Sequence, residues 1–300
     1  MENRTLADIA EKYGLKISYN EKIAKYTSFG IGGECDIIIR PNCAGSIIEL
    51  VNTCRSEGIP YRIFGKCSNV LISGKGLRGA VILIGNDYSD IVREGETLIC
   101  AAGAPLSRVC AAARDAGLSG MEFAYGIPGT VGGGLYMNAG AYGGELKDVV
   151  LWCECLDGQG NIKRLTAPEM ELSYRHSVFT GTDDIILSAA FGLSWGSKEE
   201  ISAHMNEVME KRREKQPLEY PSAGSTFKRP EGHFAAKLIE DSGLKGYTVG
   251  GAQVSEKHSG FVINRNNASF EDVVQIVKDI KERVFKDSGI MLECEMLIIE

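Results

Sequence analysis

Ten glycines fall within residues 117–144, GLSGMEFAYGIPGTVGGGLYMNAGAYGG, and this 28-residue stretch carries one charge, Glu122. A solvated linker would be polar, rich in Ser, Lys or Glu. This segment holds Met, Phe, Tyr, Leu and Val instead. It reads as backbone packed closely against something flat and partly apolar, because glycine lets peptide groups approach a neighbour without a Cβ in the way. A long irregular loop in a compact domain is more often functional than filler. Glycine makes up 36 of the 300 residues overall, with no period of three, which excludes collagen.

The remaining composition is that of a globular protein: 44% hydrophobic and 24% charged, which argues against disorder. The length suits two domains of ordinary size. A net charge of -7 argues against a nucleic-acid binder that works by neutralising phosphates, and leaves open a local pocket for one small anion. No apolar run approaches the ~20 residues of a spanning helix. The first residues, MENRTLAD, lack the apolar core of a signal peptide, so a soluble cytoplasmic protein is expected. The nine cysteines contain no CxxC pair and mostly sit among apolar neighbours, so buried reduced thiols are expected. Cys153 and Cys155 share a strand face but have no His or Cys partner near in sequence, so no metal site is expected.

Along the chain, residues 1–25 read as a charged helical lead-in. A strand is expected at 35–40 and a helix at 44–57, where Ile47, Ile48, Leu50, Val51 and Cys54 make an apolar stripe. Short strands follow at 61–64, 69–72, 80–84 and 97–101. Pro105 opens a second helix and Gly117 closes it. Beyond the glycine-rich segment, strands are expected at 149–156, 161–165 and 184–194, the first two joined by turn signals at 157–161. A charged helix covers 199–215, and a domain boundary falls near 195–200. Ser269 with Asp272 makes a capping-box start for a helix over 270–286, Gly289 stops it, and a final strand runs 291–299. The pattern is α+β.

Several motifs carry possible chemistry. Gly74–Gly79 matches GxGxxG, but the next residues are the strand-like AVILI, so no helix N-terminus is present to hold a pyrophosphate. It reads as a β-hairpin connection. Gly65-Lys66-Cys67-Ser68-Asn69 can present N–H groups to a phosphate, though on spacing alone a plain turn is the simpler reading. Ile127–Gly133 offers peptide edges to a flat ring or a pyrophosphate. Arg175 can clamp a carboxylate, or be an ordinary surface ion-pair partner. Ser225, in PSAGSTF, can donate a proton, or be a turn serine. Glu293 and Glu295 lie two apart in the expected terminal strand and share a face, which spacing alone would leave to solvent.

Read together and in order, these blocks resemble one family, the UDP-N-acetylenolpyruvoylglucosamine reductases (MurB) of bacterial peptidoglycan synthesis. The matching pieces are YTSFGIGG from Tyr26, Gly65 with Ser68, Asn69 and Leu71, GLSGMEF from Gly117, and GIPGTVGG from Gly126. MNAGAYG from Met137, Ser173-Tyr174-Arg175, Gln216-Pro217-Leu218 and PSAGSTF from Pro221 come next. KLIE from Lys237, GGAQVS from Gly250 and HSGF from His258 complete the set. With 49 residues between Arg175 and Ser225, the chain resembles the shorter type, without an inserted tyrosine loop.

The resemblance implies an α+β protein. An FAD-binding domain of the vanillyl-alcohol-oxidase type, two α/β subdomains over 26–196, would precede a smaller α+β substrate domain over 197–300. It implies noncovalent FAD, NADPH as co-substrate, UDP-N-acetylenolpyruvoylglucosamine as substrate, and a cytoplasmic monomer with no nucleic-acid or membrane partner. The family's proton donor falls on Ser225, its active-site arginine on Arg175 and its glutamate on Glu295. Glu295 is preferred over Glu293 by its spacing from Gly289 and Leu292. The family's cofactor-binding positions fall on Gly65, Lys66, Cys67, Ser68, Asn69, Gly126, Pro128, Gly129, Thr130, Gly132, Gly133, Asn138, Ala139 and Gly140. The chemistry is coherent. Hydride addition to the terminal enol-ether carbon leaves enolate-like charge on the substrate carboxylate, an Arg stabilises it, and a Ser protonates the adjacent carbon. Two rivals stay open: a covalent-FAD oxidase of the same fold, against which the four histidines argue, and a non-catalytic binder of flavin or sugar nucleotide.

Overall fold

The computed structural model describes residues 2–300, with side chains from Thr5 onward, so the expectations for the charged start fall partly outside the described residues. The chain separates into two compact units, and neither is continuous in sequence. One comprises the chain up to Tyr19, Asp36–Lys66 and Arg78–Lys211; the other comprises Asn20–Cys35, Cys67–Leu77 and Arg212–Glu300. These units cut the chain differently from a linear division at residues 25 and 196.

The first unit is built around a five-stranded antiparallel sheet in the order Ile162–Thr166, Val150–Leu156, Ile185–Gly192, Thr97–Ala101, Ile91–Glu94. The expected turn joins the first two strands. Asp157 N–H donates to Asn161 O at 2.8 Å, and the Asp157 carboxylate accepts the N–H groups of Gln159 (2.9 Å) and Asn161 (2.8 Å). Those backbone donors, with Lys163 at 3.0 Å, hold the Asp157 carboxyl down at about 2. A second sheet orders Lys16–Lys22, Glu34–Arg40, Leu77–Leu83 and Tyr61–Phe64. Helix Ala44–Ser56 buries Ile47, Leu50, Val51 and Cys54 as the apolar stripe anticipates. Helix Leu106–Ala116 begins one residue after Pro105, which is its N-cap, and ends on Gly117 at φ +70.

The second unit has a three-stranded antiparallel meander, Thr248–Val249, Ala252–Val254 and Val262–Asn264. Helix Phe270–Ser288 buries Phe270, Val273, Ile276, Val277, Ile280 and Val284, one stripe at helical spacing. Its capping box is formed: Ser269 Oγ accepts from Asp272 N at 3.0 Å, and Asp272 Oδ2 accepts from Ser269 N at 2.9 Å. Gly289, at φ +72, ends it.

Three expectations are corrected. The lead-in is helical over Glu2–Tyr13 and again in a short 3-10 turn, Ile23–Tyr26; between them runs a strand, Lys16–Lys22, none of whose residues is fully buried. Gly74–Gly79 is no hairpin connection. Strand Val70–Ile72 pairs in parallel with the C-terminal Leu297–Ile299, and Leu77–Leu83 pairs elsewhere. The terminal strand is confined to Leu297–Ile299, because residues 291–296 are irregular. None of the nine cysteines forms a disulfide, and seven are buried; burial pushes the Cys67 thiol up to about 12. Among the described residues no helix is long and apolar enough to cross a membrane.

Candidate active site

In the second unit the loop Pro221–Phe227 is fastened residue by residue. Ser222 N–H donates to Ser28 O at 3.1 Å. Gly224 takes a left-handed backbone, φ +74, which a side chain would strain. Thr226 is buried and fully used: its N–H donates to Gly260 O (2.9 Å) and its Oγ1 accepts from Val262 N (3.0 Å). Ser225 is the half-buried residue between these two fixed points.

The segment 293–297 lies along this loop. Lys228 N donates to Glu293 O and Glu295 N donates to Thr226 O, each at 2.9 Å. Asn69 brackets the same segment. Its Nδ2 donates to Glu295 O at 3.0 Å, and its own carbonyl accepts from Leu297 N at 3.0 Å. Backbone bonds thus bring Glu295 beside the residue next to Ser225. The expectation that Glu293 and Glu295 share a strand face is overturned, since no regular strand is present there. Glu293 is exposed and meets only the Lys228 ammonium, at 3.5 Å, while Glu295 is half-buried. Sequence reasoning passed over Thr226, whose hydrogen bonds are what fix the loop; its place in the PSAGSTF block was the available signal.

In the same unit Cys67 is buried at φ +48 with its carbonyl accepting from Ser28 N at 3.2 Å; Ser68 is half-buried. Gly65 and Lys66, the other half of that turn, belong to the first unit, Gly65 half-buried and Lys66 exposed.

In the first unit the glycine-rich segment contains a short helix, Val131–Tyr136, unanticipated in so glycine-rich a run. Thr130 caps it, its Oγ1 accepting from Gly133 N at 3.3 Å. Val131 N and Gly132 N donate to Ala104 O (2.9 Å) and Ala102 O (2.8 Å). Many of the glycines serve packing within the chain. A Cβ at Gly134 would lie 2.9 Å from Leu146 Cδ1, one at Gly132 3.1 Å from Ala102 Cβ, and those at Gly140 and Gly144 would run into Glu145 and Phe123. Gly129 and Gly133 are different. Added Cβ atoms there would find nothing nearer than 3.7 Å and 3.5 Å, which is ordinary contact. The fold does not demand glycine at these two positions. The cradle they leave, with exposed Pro128 and half-buried Gly126 beside it, fits a flat group approached by backbone, as FAD requires.

Arg175 lies in a tight turn in which Ser173 and His176 exchange backbone hydrogen bonds, both 3.1 Å. Its φ is +54, a region that costs a non-glycine residue about 1 kcal/mol or more. It is half-buried, lies 5.0 Å over the Tyr174 ring, and donates from Nη2 to Gly140 O at 3.2 Å. Asn138 is fully buried, with its amide spent on Glu145, Ser173 and Lys147. Ala139 has both backbone groups bonded, to Gly134 and Leu146. Lys147 at 2.9 Å, then the Asn138 amide, hold the Glu145 carboxyl below its usual range. Among the described residues no group of three or more His, Cys, Asp or Glu could hold a metal ion.

The fold and these sites are those of a flavoprotein with a separate C-terminal domain. Residues 35–166 match the FAD binding domain model, and residues 216–299 match the model of the UDP-N-acetylenolpyruvoylglucosamine reductase C-terminal domain. The reductase of that name from Caldanaerobacter subterraneus subsp. tengcongensis is 48% identical over 284 residues, covering 95% of this chain and 94% of the relative. That from Agathobacter rectalis is 48% identical over 297 residues, with the same coverage. The crystal structure of the Thermus caldophilus enzyme superposes with a TM-score of 0.80 at 31% identity, over 95% of this chain and 99% of that one. The chain belongs to the UDP-N-acetylenolpyruvoylglucosamine reductase family.

Proposed function

We propose that this chain reduces the enolpyruvyl ether of UDP-N-acetylenolpyruvoylglucosamine to UDP-N-acetylmuramate, using NADPH and FAD, in peptidoglycan precursor synthesis. Its relatives carry that substrate in their name, and one FAD binding domain model spans 35–166. When bound, FAD would supply the two-electron hydride chemistry that links NADPH to the enol ether.

The protein's residues do the rest. FAD would be held by Gly65, Lys66, Cys67 and Ser68 and by the backbone of Gly126, Pro128, Gly129, Thr130, Gly132 and Gly133. Arg175 faces the negative charge that develops on the substrate carboxylate and stabilises it where it forms. Ser225 gives its hydroxyl proton to the carbon next to the one that gained hydride, completing the two-electron reduction; solvent restores that proton. Glu295 is the third residue of the proposed site, set by its backbone beside the Thr226 loop. Substrate and NADPH are the partners proposed, with the enzyme a cytoplasmic monomer.

The observation that supports this reading is the bond from Glu295 N–H to Thr226 O at 2.9 Å, which brings the Glu295 backbone beside the residue that follows Ser225. The test separates the two half-reactions by rapid mixing. In Ser225→Ala, flavin reduction by NADPH is expected to survive while reoxidation by the enol ether falls by ~10²-fold or more, the usual worth of a general acid. Unchanged reoxidation in Ser225→Ala would remove Ser225 from the mechanism.

A further inference from the structure

Asn138 lies inside the glycine-rich segment, and its environment is unlike that of Gly129 and Gly133 before it. Its side chain is wholly buried and its backbone is left-handed, φ +41, a conformation asparagine tolerates better than most residues. Nδ2 donates to Glu145 Oε2 and to Ser173 O, both at 2.9 Å, and Oδ1 accepts from Lys147 N at 3.0 Å. Nδ2 has two hydrogens, so both donors are spent inside the protein. A side chain committed in this way has no donor left to offer a cofactor.

The target of one of those bonds is the informative part. Ser173 is the first residue of the turn whose third residue is Arg175. That turn holds a bulky residue at φ +54 and needs outside support to keep it. Three of the bonds that fasten it reach the stretch 136–140: Asn138 Nδ2 to Ser173 O, Ser177 Oγ to Tyr136 O at 2.8 Å, and Arg175 Nη2 to Gly140 O at 3.2 Å. Asn138 is the only one of the three that grips the start of the turn, and it also ties that start to the 145–147 backbone through Glu145 and Lys147.

We propose that Asn138 is a positioning residue for the reduction: through the Ser173 carbonyl it holds the turn that presents Arg175, and it is not a ligand of the flavin. This replaces the cofactor-binding role implied by the family resemblance, and it rests on Arg175 being the group that stabilises the developing charge. Misplacing such a group by about 1 Å can cost on the order of 10²-fold in rate, without any effect on cofactor binding.

The test uses the flavin-loaded enzyme and four variants: Asn138→Gly, Asn138→Asp, Arg175→Ala and the double variant Asn138→Gly/Arg175→Ala. Asn138→Gly keeps a residue at ease with positive φ and deletes only the amide. Asn138→Asp keeps the shape but replaces the donor to Ser173 with an oxygen, so the test survives if the glycine variant fails to fold. Flavin content, flavin absorbance, reduction by NADPH and reoxidation by UDP-N-acetylenolpyruvoylglucosamine are measured separately. Expected are full flavin content, an unshifted spectrum and near-normal reduction, with reoxidation slowed ~10–100-fold in both Asn138 variants. The double variant is expected to be no slower than Arg175→Ala, because Asn138 acts through Arg175. Loss of flavin or a shifted spectrum with normal reoxidation would make Asn138 a cofactor ligand and overturn the proposal. Effects that multiply in the double variant would also overturn it. Normal reoxidation in Arg175→Ala would instead defeat the parent reading of Arg175, a result distinguishable from either.

Discussion

Gly65→Ala should destabilise the first unit by an amount set by one neighbour, Thr130. A Cβ built on Gly65 would collide with Thr130 Oγ1 and lie 3.5 Å from its Cβ and Cγ2. The φ of Gly65 is not positive, so the substitution is not a backbone problem but a steric one. Thr130 has little room to yield, being 3% exposed and engaged as the cap of the helix Val131–Tyr136. Overpacking a tight site costs about 1–3 kcal/mol. Displacing the cap adds roughly 0.5–1 kcal/mol, at the low end because its bond to Gly133 N is long. The expected total is about 2–3 kcal/mol, or a Tm lower by roughly 4–12 °C. Thermal unfolding of the flavin-free protein, followed by circular dichroism, measures it. Thr130→Ala alone should cost about 1 kcal/mol. In the double variant the steric conflict is gone, so the double should be close to Thr130→Ala, a coupling of about 2–3 kcal/mol. Strict additivity of the two costs would refute the close approach of Gly65 to Thr130.

Gly134→Ala should lower stability by about 1–3 kcal/mol because its Cβ meets Leu146 and Leu106. Gly133→Ala should leave the flavin-free protein folded and as stable, yet weaken FAD binding; comparing Tm with flavin titration separates the two. Glu295→Gln should slow substrate-dependent turnover at least ~10-fold, whereas Glu293→Gln, on an exposed ion pair with Lys228, should change it little. The Asp157 carboxyl is held at about 2, below the unfolded value of 3.8, so its stabilisation is fully present above about pH 4 and disappears as pH falls through about 2. Asp157→Asn should therefore flatten the acid limb of the Tm-versus-pH curve in that window and leave its shape near neutral pH unchanged.

Much of the fold was legible because local signals agreed with tertiary ones. Ser269, Asp272, Gly289 and a stripe from Phe270 to Val284 all mark one helix, and the structure uses every one of them. What failed were elements whose partners are distant. Strand Lys16–Lys22 buries no residue fully, and only the brief alternation of Ile17 and Tyr19 marks it. The C-terminal strand was read too long because Leu292-Glu293-Cys294-Glu295 alternates, yet that stretch bonds to the Thr226 loop instead of entering a sheet. Strand Val70–Ile72 pairs with residues more than 220 positions away, which no local pattern announces. Of the proposed site residues, Ser225, Arg175 and Glu295 were reached through family resemblance; hydrogen bonding of Thr226, Asn69 and Glu295 supplies a physical reason for the placement of the 225 and 295 backbones, and Arg175 is set by its own turn. The glycine-rich segment was read as one surface for a ligand. In the structure several of its glycines pack against Leu146, Glu145 and Phe123, while the space around Gly129 and Gly133 is left for a flat group. Nothing local in the sequence says that the Asn138 amide turns inward.

The central claim is that this chain reduces an enol ether with electrons from NADPH. The direct measurement follows NADPH absorbance with the flavin-loaded protein, with and without UDP-N-acetylenolpyruvoylglucosamine, and takes the mass of the sugar nucleotide at the end. The account predicts one NADPH consumed per substrate and a product heavier by two hydrogens. NADPH oxidation that ignores the substrate, with the sugar nucleotide recovered unchanged, would contradict it.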